Sequence, residues 1–150
     1  MLGIAPGVVA TENDGRSQQQ IEGPVSGGGE RSDNARFVLA LAKRGIRSVL
    51  LRLPPATHGD SGFIAAFVKF ARQKQAPAYI GDESNRWSAV HRDDAAQLVR
   101  LALESLPAGT VLHAVGEEGV RIRDVAGAIA SGLGVEAVSV SQAEANAYVG

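Results

Sequence analysis

The run Ser48-Val-Leu-Leu-Arg-Leu53 constrains this chain most. It is short, apolar and rich in branched side chains, as a strand buried on both faces is in a parallel sheet. Pro54-Pro55 closes it, because proline gives a sheet no ladder donor. Parallel strands need crossover helices, and helical patterns stand on either side of this run. Ala35 to Arg44 is apolar almost all round, as in a buried helix, with Gly45 as its stop. Phe63, Ala66, Phe67, Phe70 and Ala71 fall on one helical face.

The alternation continues. Ala78-Tyr-Ile80 reads as a short strand and about Asp94 to Leu106 as a helix with Ala95, Leu98, Val99, Ala102 and Leu106 inward. Val111 to Val115 is a strand. Ile122, Val125, Ala126, Ile129 and Leu133 make a further helical face, and Glu136 to Val140 a weak strand. Ser141-Gln-Ala-Glu144 has the spacing of a capping box. The expected class is α/β, a partial Rossmann-like, doubly wound parallel sheet. Residues 1–34 read as a linker-like segment and 35–150 as the folded part. Between Glu12 and Asn34 only Ile21 and Val25 are aliphatic, too few to offset the entropy of ordering.

Composition removes several functions. Fifteen basic side chains face 16 acidic ones, for a net charge of -1, so nucleic acid is not an expected partner. There is no cysteine, which removes disulfides, thiolate metal sites and a cysteine nucleophile. No apolar run approaches the roughly 18 residues of a membrane helix, and the start lacks the basic flank of a secretory signal. A cytoplasmic chain is expected, with no membrane partner.

No Gly-x-Gly-x-x-Gly occurs, nor a Gly-x-Ser-x-Gly elbow. Gly59-Asp-Ser-Gly62 precedes a helix and reads foremost as a turn, although its amides suit an anion. His58, His91 and His113 belong to separate segments, so no metal site is expected. The densest chemistry is Asn85-Arg-Trp-Ser-Ala-Val-His-Arg-Asp-Asp94, which reads as a loop ahead of a helix. Asp93 or Asp94 suits the helix cap. Capping does not call for Arg86, Trp87 and His91. Arginine is the natural fork for phosphate and tryptophan a flat apolar wall, so a ligand-facing role competes with a structural one.

These residues resemble a family. Ala89-Val-His-Arg-Asp-Asp-Ala-Ala96 is similar to the His-Val-x-Asp-x-Ala segment of extended short-chain dehydrogenases, the NAD-dependent epimerase/dehydratase family. Val49-Leu-Leu-Arg-Leu-Pro-Pro-Ala-Thr-His-Gly59 resembles its sixth strand and proline loop. Tyr79-Ile-Gly-Asp82 and His113-Ala-Val-Gly-Glu-Glu-Gly119 resemble its later segments, in the same order. The resemblance runs from about Leu2 to Gly150 and points to an atypical branch.

The resemblance implies NAD or NADP as cofactor and a small-molecule substrate such as a nucleotide sugar. It puts Pro54, Pro55 and His58 on the cofactor side of the cleft. It puts Arg86, Trp87 and His91 on the substrate side, and Asp94 in a structural, helix-capping role. The chain departs from the family too. The glycine-rich loop is absent, and neither Tyr79 nor Tyr148 has lysine four residues on. The chain therefore reads as a substrate-side half, beginning beyond the glycine loop and the catalytic serine, with no tight binding of NAD(P)H on its own. A non-catalytic α/β binding module or an inactive gene fragment is the alternative. The ligand-facing chemistry is expected on two loops, 54–62 and 85–94, opening on one edge of the sheet.

Overall fold

The structure is a computed structural model that describes residues 8–9, 11–12, 29–81 and 85–149. The stretch 13–28, most of the expected linker, lies outside the described residues. The chain forms two compact units: Met1–Arg52 with Gln97–Ala114, and Leu53–Ala96 with Val115–Gly150.

In the first unit, helix α1 (Gly29–Leu41) is followed by a single 3-10 turn (Ala42–Arg44). The helix starts earlier than Ala35, inside the expected linker. The stop at Gly45 holds: its φ is 77°, and its N–H reaches the Ala42 carbonyl, a left-handed exit that glycine adopts without a Cβ clash. Strand β1 (Val49–Arg52) pairs in parallel with β5 (Thr110–His113), in the register Val49↔Thr110 to Arg52↔His113. All eight strand residues are half-buried. The helix α1 is not the buried one its composition suggests, since Phe37 is 64% exposed. A two-stranded sheet has too little apolar face to cover a helix all round.

The second unit holds two small sheets. In one, β2 (Ala56–His58) runs parallel to β4 (Arg86–His91), and β4 runs antiparallel to β6 (Glu117–Arg121). In the other, β3 (Ala78–Ile80) is parallel to β7 (Val138–Val140). In helices α2 (Phe63–Lys74) and α4 (Ile122–Leu133), Phe67, Ala71 and Ala126 of the expected inner faces are buried, Ala130 is buried beside them, and Ala66, expected inward, is exposed. Helix α3 (Arg92–Ser105) belongs to both units by sequence, and its Ala95 and Ala102 are buried. Val99, expected inward, is exposed. The parallel pairs and flanking helices are the α/β class expected.

The capping box of α5 (Gln142–Val149) is present in full. The Ser141 N–H donates to Glu144 Oε2 at 2.7 Å, and the Glu144 N–H returns to Ser141 Oγ at 3.3 Å. The Ser141 amide and hydroxyl hold the Glu144 carboxyl below its ordinary 4.5. A depressed carboxyl stabilises the cap above that pH and loses the effect as acid protonates it. Ser141→Ala removes the hydroxyl half of the box. The Ala145 amide, bonded to the Ser141 carbonyl, is then expected to exchange severalfold faster by NMR. Acidification of the wild type below the folded pKa of Glu144 is expected to lower the protection factor of that amide, its measured rate being compared with the slower intrinsic rate at the same pH.

Candidate functional site

The segment 85–94 is not a loop. Arg86–His91 forms the central strand β4, paired on both sides. Its six residues advance about 3.3 Å each, so Arg86 and Trp87 lie roughly 15 Å along the strand from His91. The expected single cluster of Arg86, Trp87 and His91 is thereby divided between the two ends of one strand.

At the carboxyl end, parallel register sets His58 of β2 beside His91 of β4. Their rings meet edge to face, with centroids 5.4 Å apart. Glu117 opens the antiparallel β6 at the same end, with Oε2 3.8 Å from His58 Nε2. His91 Nδ1 accepts the Asp93 N–H at 3.3 Å, so the histidine fills the capping place. Asp94 is not the cap: α3 begins at Arg92, and Asp93 and Asp94 occupy its first turn, where their charge favours the helix dipole. Pro54 is buried and Pro55 exposed.

The turn reading of Gly59–Gly62 holds. Gly62 bridges back to His58, and Arg92 lies over Gly59 while its Nη2 binds Asp60 Oδ2 at 2.7 Å. A Cβ on Gly59 would meet the Arg92 side chain at 2.8 Å. The loop is packed against protein, not open to a pyrophosphate. With no Gly-x-Gly-x-x-Gly anywhere in the sequence, the residues present do not fit the phosphate cradle of a dinucleotide.

At the amino end, Trp87 packs its ring on Phe63 at 4.6 Å, and Phe63 meets Phe67 at 5.8 Å. These rings wall an apolar cavity of about 340 Å³, with Phe70, Tyr79, Ile80, Ile122 and Val140 completing most of its lining. Sequence reasoning missed it, because α2, α4, β3 and β7 each supply one flank. Arg86 lies between two lining residues, Asn85 and Trp87, and its Nη1 donates to the Gly119 carbonyl at 2.8 Å. That carbonyl is presented by a bulge: β6 has one more residue than β4 between the pairs Trp87↔Val120 and Ala89↔Glu117, and Gly119 has φ 61°. Among the described residues no group of three or more histidines and carboxylates is placed to hold a metal ion, and no helix is long and apolar enough to cross a membrane.

The fold is one found in NAD-bound enzymes of nucleotide sugars. A dTDP-glucose 4,6-dehydratase from Bacillus anthracis, solved in complex with NAD, superposes with a TM-score of 0.72 at 18% identity, over 93% of this chain and 45% of its own. MoeE5, solved with UDP-glucose and NAD, superposes with a TM-score of 0.69 at 20% identity, over 93% of this chain and 48% of its own. By sequence, an uncharacterized protein of Schizosaccharomyces pombe is 46% identical over 114 residues, covering 75% of this chain and 39% of that protein. An uncharacterized protein of Saccharomyces cerevisiae is 32% identical over 151 residues, covering 99% of this chain and 48% of its own. The chain thus spans less than half the length of either relative. No family model matches it.

Proposed function

We propose that this chain forms the substrate-side part of an NAD(P)-dependent nucleotide-sugar epimerase, dehydratase or reductase. The observation that supports this most is the aromatic-walled cavity, in a fold that solved nucleotide-sugar enzymes share. A planar base or a deoxygenated sugar face buries apolar area against Phe63 and Trp87. Arg86, exposed beside that wall, is the cation for a diphosphate. His58 and His91 supply polar contacts at the carboxyl end of β2 and β4, the edge where open parallel sheets take ligands. Pro54 and Pro55 stand on the cofactor side, and the dinucleotide itself is held by residues other than these.

Trp87 is the only tryptophan, so its fluorescence reports the cavity directly. Titration with UDP-glucose or dTDP-glucose is expected to quench it along a saturating curve. Arg86→Ala is expected to weaken that binding about tenfold, near 1.4 kcal/mol, the scale of one charge-assisted hydrogen bond. Flat titrations with both sugars would refute the reading. They would leave the non-catalytic module, which the missing Tyr-x-x-x-Lys pair favours. NADH is expected to bind this chain with Kd weaker than about 10 μM, about -7 kcal/mol, measured by heat. Tighter binding contradicts the packing seen at Gly59 and Gly62.

A further inference from the structure

The first unit holds a parallel sheet of only two strands, and one side of it ends in open backbone. The Gly109 N–H donates to the Ser48 carbonyl at 2.7 Å, and the Ala114 N–H donates to the Arg52 carbonyl at 2.9 Å. Ser48 and Arg52 thus face β5, and Leu50, midway between them, faces it as well. Successive residues of a strand turn their N–H and C=O groups to opposite sides, so Val49 and Leu51 direct theirs away from β5. Among the described residues no strand pairs along that side of β1. The far side of β5 differs, because Glu12 Oε1 accepts the His113 N–H there at 3.1 Å.

Two strands are too few for an independent sheet, and parallel sheets ordinarily have both faces covered. Here every residue of the pair is only half-buried. Phe37 of α1, Ile46 ahead of β1, and Val99, Leu101 and Leu103 of α3 are exposed in the same unit. The relatives have chain to spare for that surface. This chain covers 39% of the Schizosaccharomyces pombe protein and 48% of the Saccharomyces cerevisiae one, and it superposes on 45% of the dehydratase.

We propose that the free side of β1 is a docking edge for a further parallel strand, supplied by a polypeptide segment of the kind these relatives carry outside the matched residues. The segment pairs its backbone with Val49 and Leu51 and brings an apolar face to the exposed side chains of the unit. A second copy related by a two-fold axis across the edge would run antiparallel to β1, against the parallel order of the pair. The inference rests on the fold and on the length of the relatives, not on the nucleotide-sugar reading, so either can fail alone.

Hydrogen exchange followed by NMR tests it. In this chain alone the Val49 and Leu51 amides are expected to be less protected than the Leu50 and Arg52 amides, which bond to β5, by about tenfold or more. In the intact Schizosaccharomyces pombe relative the four matching positions are expected to agree within about threefold. Coexpressed with this chain, the longest stretch of that relative outside the matched residues is expected to copurify one to one and to remove the contrast. A contrast that persists in the intact relative overturns the proposal, whether or not the separate stretch folds. Equal protection in the dilute chain alone overturns it, since the edge is then already covered. A contrast lost only as the chain is concentrated, with a doubling of mass by light scattering, assigns the edge to a second copy and overturns it too.

Discussion

Gly62→Ala is expected to destabilise the second unit by about 3 kcal/mol, seen in urea unfolding. Gly62 has φ 87° and ψ -164°, a backbone region that only glycine enters without strain of roughly 1–3 kcal/mol. A Cβ there would stand 2.6 Å from the Thr57 carbonyl oxygen, and that atom belongs to the backbone of β2 itself, which His58 bridges to Gly62. Strain and clash act together, so the upper part of the range applies. Gly127 is the control. It lies in α4 with nothing within 4 Å of a built Cβ. The same substitution there is expected to stabilise by about 0.5–1 kcal/mol, the ordinary gain of alanine over glycine in a helix. A destabilisation of equal size at both positions would show that the Gly62 conformation is not the cause.

Phe67→Ala is expected to cost about 3 kcal/mol. Phe67 is 9% exposed and holds the Phe63 ring against Trp87. Truncating a buried phenylalanine costs roughly 3–5 kcal/mol, and the lower end applies because Phe67 already borders a cavity into which neighbours can relax. Loss of its ring frees Phe63, so the Trp87 emission of the folded variant is expected to shift along with the stability. A loss below about 1 kcal/mol would mean that the aromatic wall contributes little to the unit.

Elements that bury an apolar face were legible in the sequence. The faces of α2 and α4 need only a period of 3.6, and β1, β3 and β5 are short apolar runs. The capping box was legible because serine and glutamate three apart meet within one turn. Strands β2, β4 and β6 were not. Pro54-Pro55 disguises the first. Arg86, Ser88 and His91 mask the alternation of the second, and Glu117-Glu-Gly119 looks like a turn. What makes these segments strands is pairing with one another, and partners distant in sequence leave no local pattern. The same holds for the site. Trp87 was recognisable as a wall, but its facing ring, Phe63, comes from another helix. Only the register of β2 against β4 reveals that His58 stands beside His91.

The pair β1–β5 bears on how the protein behaves at high concentration. Among the described residues each of these strands pairs with no strand but the other, and on the far side of β5 the His113 N–H is taken by Glu12 Oε1. An open strand edge is a template for the edge of another molecule. Here it accompanies exposed Phe37 at 64% and Leu103 at 55% in the same unit. A net charge of -1 gives almost no colloidal repulsion to oppose self-association. Self-association along that edge is therefore opposed mainly by what covers it, as Glu12 covers the His113 amide, and little by charge.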